Sequence, residues 1–247
     1  MNRCETFPAL SISSLVLRVK RAGLLIVVEE DAQDIQVQVV GTAKDAGTFQ
    51  FLLSAGHLSV VQPRQAKAGA NLQVVVSLPP DWKGALEAST VSGKIIVRGV
   101  TGTDLSLRSL RGSIHAEGLT GITITLRPLL GAVDAHDLAC DDCVLRTFTG
   151  SVTLAECGFL TCKARTFTGA VSLGLVSPFD MLVGRSFTGI TSITAPVNRA
   201  DVSLRSLSGR LLTEGVSISP GAPGVHVRSF TGNLQLNCSP NDTAATI

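Results

Sequence analysis

Eight glycines, at 93, 112, 131, 150, 169, 189, 209 and 232, follow one another at steps of 19, 19, 19, 19, 20, 20 and 23 residues. Their flanks recur too. RSLRG fills 108–112, RTFTG 146–150 and 165–169, RSFTG 185–189 and 228–232, and RSLSG 205–209. RPLLG at 127–131 and STVSG at 89–93 are looser copies. Equal spacing with matching flanks marks a repeat architecture, which has to be read before any single element.

The unit follows from the apolar pattern. Seven and five residues before the glycine stand pairs such as Leu105 and Leu107, Ile124 and Leu126, and Cys143 and Leu145. Two and four residues after it stand Ile114 and Ala116, Val133 and Ala135, and Val152 and Leu154. Alternation with period two predicts two strands, each with one buried side. The apolar parity changes between the two arms. The chain must therefore bend near the Ser/Thr-Phe/Leu-x-Gly segment, where glycine supplies the dihedrals of a tight corner. A third row, twelve before the glycine (Val100, Leu119, Leu138, Cys157, Val197), predicts a short third side.

Nineteen residues at about 3.3 Å each give a perimeter of roughly 60 Å. That suits one turn of a narrow β-helix and is too short for a propeller blade of about 40 residues. No segment carries a 3.6-residue period. The expected fold is all-β, a single-stranded β-helix (β-solenoid) with 19–20 residues per coil. Equivalent residues would then stack about 4.8 Å apart in columns.

Residues 89–238 read as the regular repeats. Residues 1–88 alternate with longer connections, as in Leu15-x-Leu17-x-Val19 and Ile35-x-Val37-x-Val39. They are expected to begin the solenoid and cover its first open end, because an unpaired terminal coil is a sticky edge. Residues 239–247 read as a polar tail.

Hydrophobic residues make up 45% of the 247 and charged residues 16%, which excludes disorder. A net charge of +2 does not by itself imply nucleic acid or membrane binding. The longest apolar stretch, Leu24 to Val28, is far short of a transmembrane segment. Met1 to Ser14 shows neither a secretory signal nor an amphipathic transit peptide, so the expected location is cytoplasmic, or organellar if the N-terminus is processed. The chain is long enough to fold without disulfide staples.

The Gly23-Leu24-Leu25-Ile26-Val27 segment, AGHLSVV at 55–61, VVVSLPP at 74–80, and the Ser/Thr-x-Ser/Thr-Gly-x-Ile/Val units beginning at Thr90-Val91-Ser92-Gly93-Lys94-Ile95 together resemble the putative-adhesin domain family of unknown function. The resemblance covers about residues 15–237 and implies a right-handed β-helix. It says almost nothing about chemistry. Arginine four residues before the glycine, and often phenylalanine two before, depart from that family's commonest pattern.

Arg108, Arg127, Arg146, Arg165, Arg185, Arg205 and Arg228 occupy one repeat position, seven of the fifteen arginines in the chain. Alternation points them outward. Two readings stand: each guanidinium bonds carbonyls at the corner while its stem covers apolar surface, or the row is an anion-binding ridge. Phe148, Phe167, Phe187 and Phe230 form a second recurring position, which the parity of the glycine arm turns inward for core packing; an exposed aromatic stripe for a partner is the alternative.

Cys140, Cys143, Cys157 and Cys162 invite a zinc reading. The repeat phase instead puts Cys143, Cys157 and Cys162 on apolar rows, where free cysteine packs as a small hydrophobe. The acidic run from Asp134 to Asp142 matches no calcium loop and reads as a solvated connection. No catalytic motif is present, the four histidines share no phase, and no cofactor or metal is called for.

The expectation is a non-enzymatic interaction or scaffold protein with a protein partner. A polyanion-binding module is the alternative, and a polysaccharide-active β-helix enzyme a weaker one. Self-association through the end coils is a further expectation.

Overall fold

The structure is a computed structural model and describes residues 2–41, 48–63 and 72–238. The tail at 239–247 lies outside the described residues. The chain is all-β, with one short 3-10 turn at Ala9–Ser11 and no α-helix among the described residues.

The N-terminal strands are β1 (Asn2–Phe7), β2 (Ser14–Val19), β3 (Gly23–Val28), β4 (Ile35–Val40), β5 (Gln50–Ser54), β6 (His57–Val61) and β7 (Gln73–Leu78). The repeats supply β8 (Ala85–Ser92), β9 (Ile95–Arg98), β10 (Asp104–Arg111), β11 (Ile114–Leu130), β12 (Val133–Arg146), β13 (Val152–Thr168) and β14 (Val171–Leu175). They continue through β15 (Met181–Thr188), β16 (Thr191–Ala195), β17 (Arg199–Ser208), β18 (Leu211–Glu214), β19 (Ser217–Ile218), β20 (Gly224–Thr231) and β21 (Leu234–Cys238). These strands join in one large sheet.

From β8 onward every pairing is parallel, and the register follows the sequence period. Leu105 pairs with Ile124, Ile114 with Val133, and Cys143 with Cys162, offsets of one repeat. The glycines form the predicted column. A Cβ on Gly112, Gly131, Gly150, Gly169 or Gly189 would run into the carbonyl oxygen of the preceding glycine in the column. Close backbone approach, together with φ of 143° to 158° at Gly131, Gly150, Gly169 and Gly189, is what requires glycine here.

Spatial order departs from chain order at both ends. Strand β20 lies between β15 and β17, and β21 lies between β16 and β18. The glycine column therefore runs 189, 232, 209 at its end. The chain passes the place where β20 will lie, makes β17 and β18, then returns through a connection in which Gly215 and Gly221 take φ of 71° and 79°. At the other end β2 lies between β6 and β8, and β3 between β7 and β9. Antiparallel pairs β1–β4, β4–β7 and β5–β6 finish that end.

The rows seven and five before the glycine, two and four after it, and twelve before it are buried through the middle of the stack. The row three before it is buried as well: Thr90, Ser109, Thr147, Thr166 and Ser186 turn inward. The Thr90 and Thr147 hydroxyls donate to the carbonyls of Ala22 and Gly131. Parity is thus unbroken up to three residues before the glycine, and the bend falls at the glycine itself. The inward expectation for the phenylalanines is overturned: Phe148, Phe167, Phe187 and Phe230 point outward, each between 42% and 49% exposed.

Candidate functional site

The outward side of the arms that precede the glycines carries two adjacent columns. All seven arginines lie in one of them. Arg108 pairs in register with Arg127, Arg146 with Arg165, Arg165 with Arg185, and Arg228 with both Arg185 and Arg205. Arg127 and Arg165 are half-buried and the other five exposed, which is the outward orientation read from the sequence.

Among the described residues, none of the seven makes an ion pair or a hydrogen bond to a carbonyl. The carbonyl-bonded corner is therefore not the arrangement found. The Nε atoms of Arg127 and Arg165 are buried without a hydrogen-bond partner. Burial, then the charges of Arg146 and Arg108, hold Arg127 below the usual arginine pKa. Burial, then Arg185 and Arg146, do the same to Arg165. Neighbouring charges one strand apart repel by about 0.9 kcal/mol even in bulk water. The column is thus a line of uncompensated positive charge.

The second column lies two residues along each strand. It runs Val91, Leu110, Leu129, Phe148, Phe167, Phe187, Phe230 and Leu207, all exposed. Successive phenylalanine rings stack with centroids 4.8 Å apart and planes within 4° to 8° of parallel. Between the columns runs an open groove lined by Arg146, Phe148, Arg165, Phe167, Arg185 and Phe187. The signal for this second column was in the sequence. Positions four and two before the glycine share parity, so an outward arginine implies an outward neighbour.

The arms that follow the glycines show a different outer side. Arg98 Nε lies 3.0 Å from Glu117 Oε2, His115 Nδ1 3.1 Å from Asp134 Oδ2, and His136 Nε2 3.4 Å from Glu156 Oε2. The acidic run expected as a solvated loop is instead part of strand β12. Its chain turns at Asp137 with φ of 53°.

The cysteines sit where the repeat phase puts them: Cys143, Cys157 and Cys162 are buried and Cys140 is half-buried. The hydrogen bond to Cys143, then burial, raises the Cys140 thiol. Cys143 is raised well above the ordinary thiol value despite its hydrogen bond with Cys140, through its hydrogen bond with Cys162 and burial. Burial pushes Cys157 up to about 11. Such thiols stay protonated and unreactive at neutral pH.

Known proteins enter through their folds. An 11% identical putative adhesin from Parabacteroides merdae aligns over 96% of this chain and 95% of its own, with a TM-score of 0.63. A putative lipid binding protein from Parabacteroides distasonis, 12% identical, aligns over 95% and 96% with a TM-score of 0.60. A putative adhesin from the same species, 10% identical, aligns over 97% of both chains at 0.56. No family model and no curated protein matches the chain. At these identities the likeness is one of fold.

Proposed function

We propose that the chain is a non-enzymatic binding protein, built as a right-handed β-solenoid of the adhesin-like kind, that holds an anionic partner along its arginine column. The observation that carries this reading is seven arginines in one column with no acidic partner among the described residues. Such a column stores repulsion that bound anions relieve. The in-register pairing at one-repeat offsets and the glycine column support the solenoid. The names of the neighbours, adhesin and lipid binding protein, describe binding roles and support a non-enzymatic one here. The outward carboxylates Glu117, Asp134 and Glu156 are each already partnered, by Arg98, His115 and His136, which supports binding over polysaccharide cleavage. A reducing, cytoplasmic-type compartment belongs to this reading, supported by thiols buried on apolar rows.

The test is retention on heparin. The wild type is expected to bind at low salt and elute as salt rises, and R146Q/R165Q/R185Q to pass through while keeping its circular dichroism spectrum. A wild type that fails to bind at low salt overturns the reading.

A further inference from the structure

An apolar column beside an uncompensated cationic one calls for an occupant with both characters. We infer that the arginine and apolar columns together form a docking face for an anionic lipid bilayer, an inference that rests on the anion-binding reading above.

Three features select a bilayer. The first is shape. Eight positions at strand spacing make a straight edge about 34 Å long, with one apolar and one basic side chain at nearly every step. A membrane surface offers a continuous line of phosphates at one depth and acyl chains just below. Arginine stems can lie along the apolar column with their heads at the phosphates. The second is the backbone. All the strands carrying the face except β17, which holds Arg205 and Leu207 at its end, are paired on both sides, so their N–H and C=O groups are already satisfied. Sinking the apolar edge from Val91 to Phe230 therefore drags no unpaired strand edge out of water. The third is that two weak signals coincide, apolar insertion and basic charge, which stable interfacial binding needs.

The ring geometry argues against the other occupants. Stacking at 4.8 Å covers the faces of Phe167 and Phe187 with neighbouring rings, and only ring edges point outward. Nucleobases bind single-strand proteins by stacking on open aromatic faces, which this column does not offer. A second copy of the chain would set arginine column against arginine column, or arginine against ring edges, which carry the positive end of the quadrupole. Acyl chains make no such demand.

The experiment is co-sedimentation with vesicles of phosphatidylcholine alone and of phosphatidylcholine mixed with phosphatidylserine. The wild type is expected to bind only the mixed vesicles. R146Q/R165Q/R185Q should lose about a hundredfold in affinity, from about 1 kcal/mol for each arginine at an anionic surface. F148S/F167S/F187S should lose at least about tenfold on vesicles and nothing on heparin, which separates this inference from the anion-binding one. In Phe167→Trp, the fluorescence gained over the buried Trp82 of the wild type should be quenched by brominated acyl chains. Heparin binding without vesicle binding would make the partner a soluble polyanion and overturn the inference. So would unchanged vesicle binding by the phenylalanine variant, or a wild-type dimer in sedimentation that the same variant disperses.

Discussion

The two outer sides of the stack are built from the same repeat and treat charge in opposite ways. On the arms after the glycines, each carboxylate meets a basic side chain of the neighbouring repeat and closes into a pair: Arg98 with Glu117, His115 with Asp134, His136 with Glu156. On the arms before them, one sign recurs at seven consecutive steps of the column, beside exposed leucine and phenylalanine. In-register stacking multiplies whatever a position holds. A position that varies can be neutralised by the repeat above it, whereas a position that does not vary becomes a column of like residues. The first outcome makes a surface of paired side chains, and the second makes a line of like charge beside a line of apolar side chains.

The glycine column joins the two sides, and breaking it breaks both. Gly150→Ala puts a methyl group against the Gly131 carbonyl at a φ of 143°. It is expected to cost at least about 3 kcal/mol, combining backbone strain and overpacking. Gly221→Ala, at φ of 79° but with open space around it, should cost only about 1 kcal/mol. Urea unfolding of the two variants checks the pair. Equal losses would mean that dihedral strain alone, and not the approach of successive repeats, sets the need for glycine.

In the row twelve before the glycine lies Cys157, buried and donating to the Ala155 carbonyl. Its folded pKa, about 11, stands above the ordinary thiol value of 9.0. The folded state therefore keeps its proton where the unfolded state loses it. The contribution is fully present below pH 9 and falls away as pH rises toward 11, a loss of roughly 2 kcal/mol. Cys157→Val should flatten that part of the stability–pH profile measured by denaturant unfolding. A variant with an unaltered alkaline slope would assign the loss to other groups.

Much of this architecture was legible because a column repeats its own evidence. Leu105, Ile124 and Cys143 each vote for the same buried position, so even the cysteines could be placed without coordinates. The failures come from positions where the repeat carries no such vote. Whether the bend falls before or after Phe148 depends on Thr147, whose hydroxyl can face inward because the Gly131 carbonyl accepts its hydrogen bond. A pattern of apolar residues cannot register a buried threonine, and the phenylalanines went to the wrong side as a result. The swapped order of β17 and β20 was hidden for a different reason. Strands of one repeat type can pair with any neighbour of that type, and the choice lies in the connection through Gly215 and Gly221.

The contrast between the sides reduces to a difference of sign in stability, which small effects can still resolve. On the arms before the glycines, R146Q/R165Q/R185Q removes repulsion between neighbours along the column. At low salt this should stabilise the fold by about 1 kcal/mol, and the gain should vanish as the Debye length shrinks below the strand spacing. On the arms after them, Glu117→Gln removes an attraction from Arg98 across 3.0 Å between two exposed groups. Such a pair contributes at most about 0.5 kcal/mol, so that variant should be slightly less stable, again only at low salt. Thermal unfolding of both variants across a salt series checks the signs together. If both variants shift the same way, the columns are not electrostatically different. The arginines would then be held by something other than a missing partner, such as stacking of their planar guanidinium groups on one another, which screening by salt would leave in place.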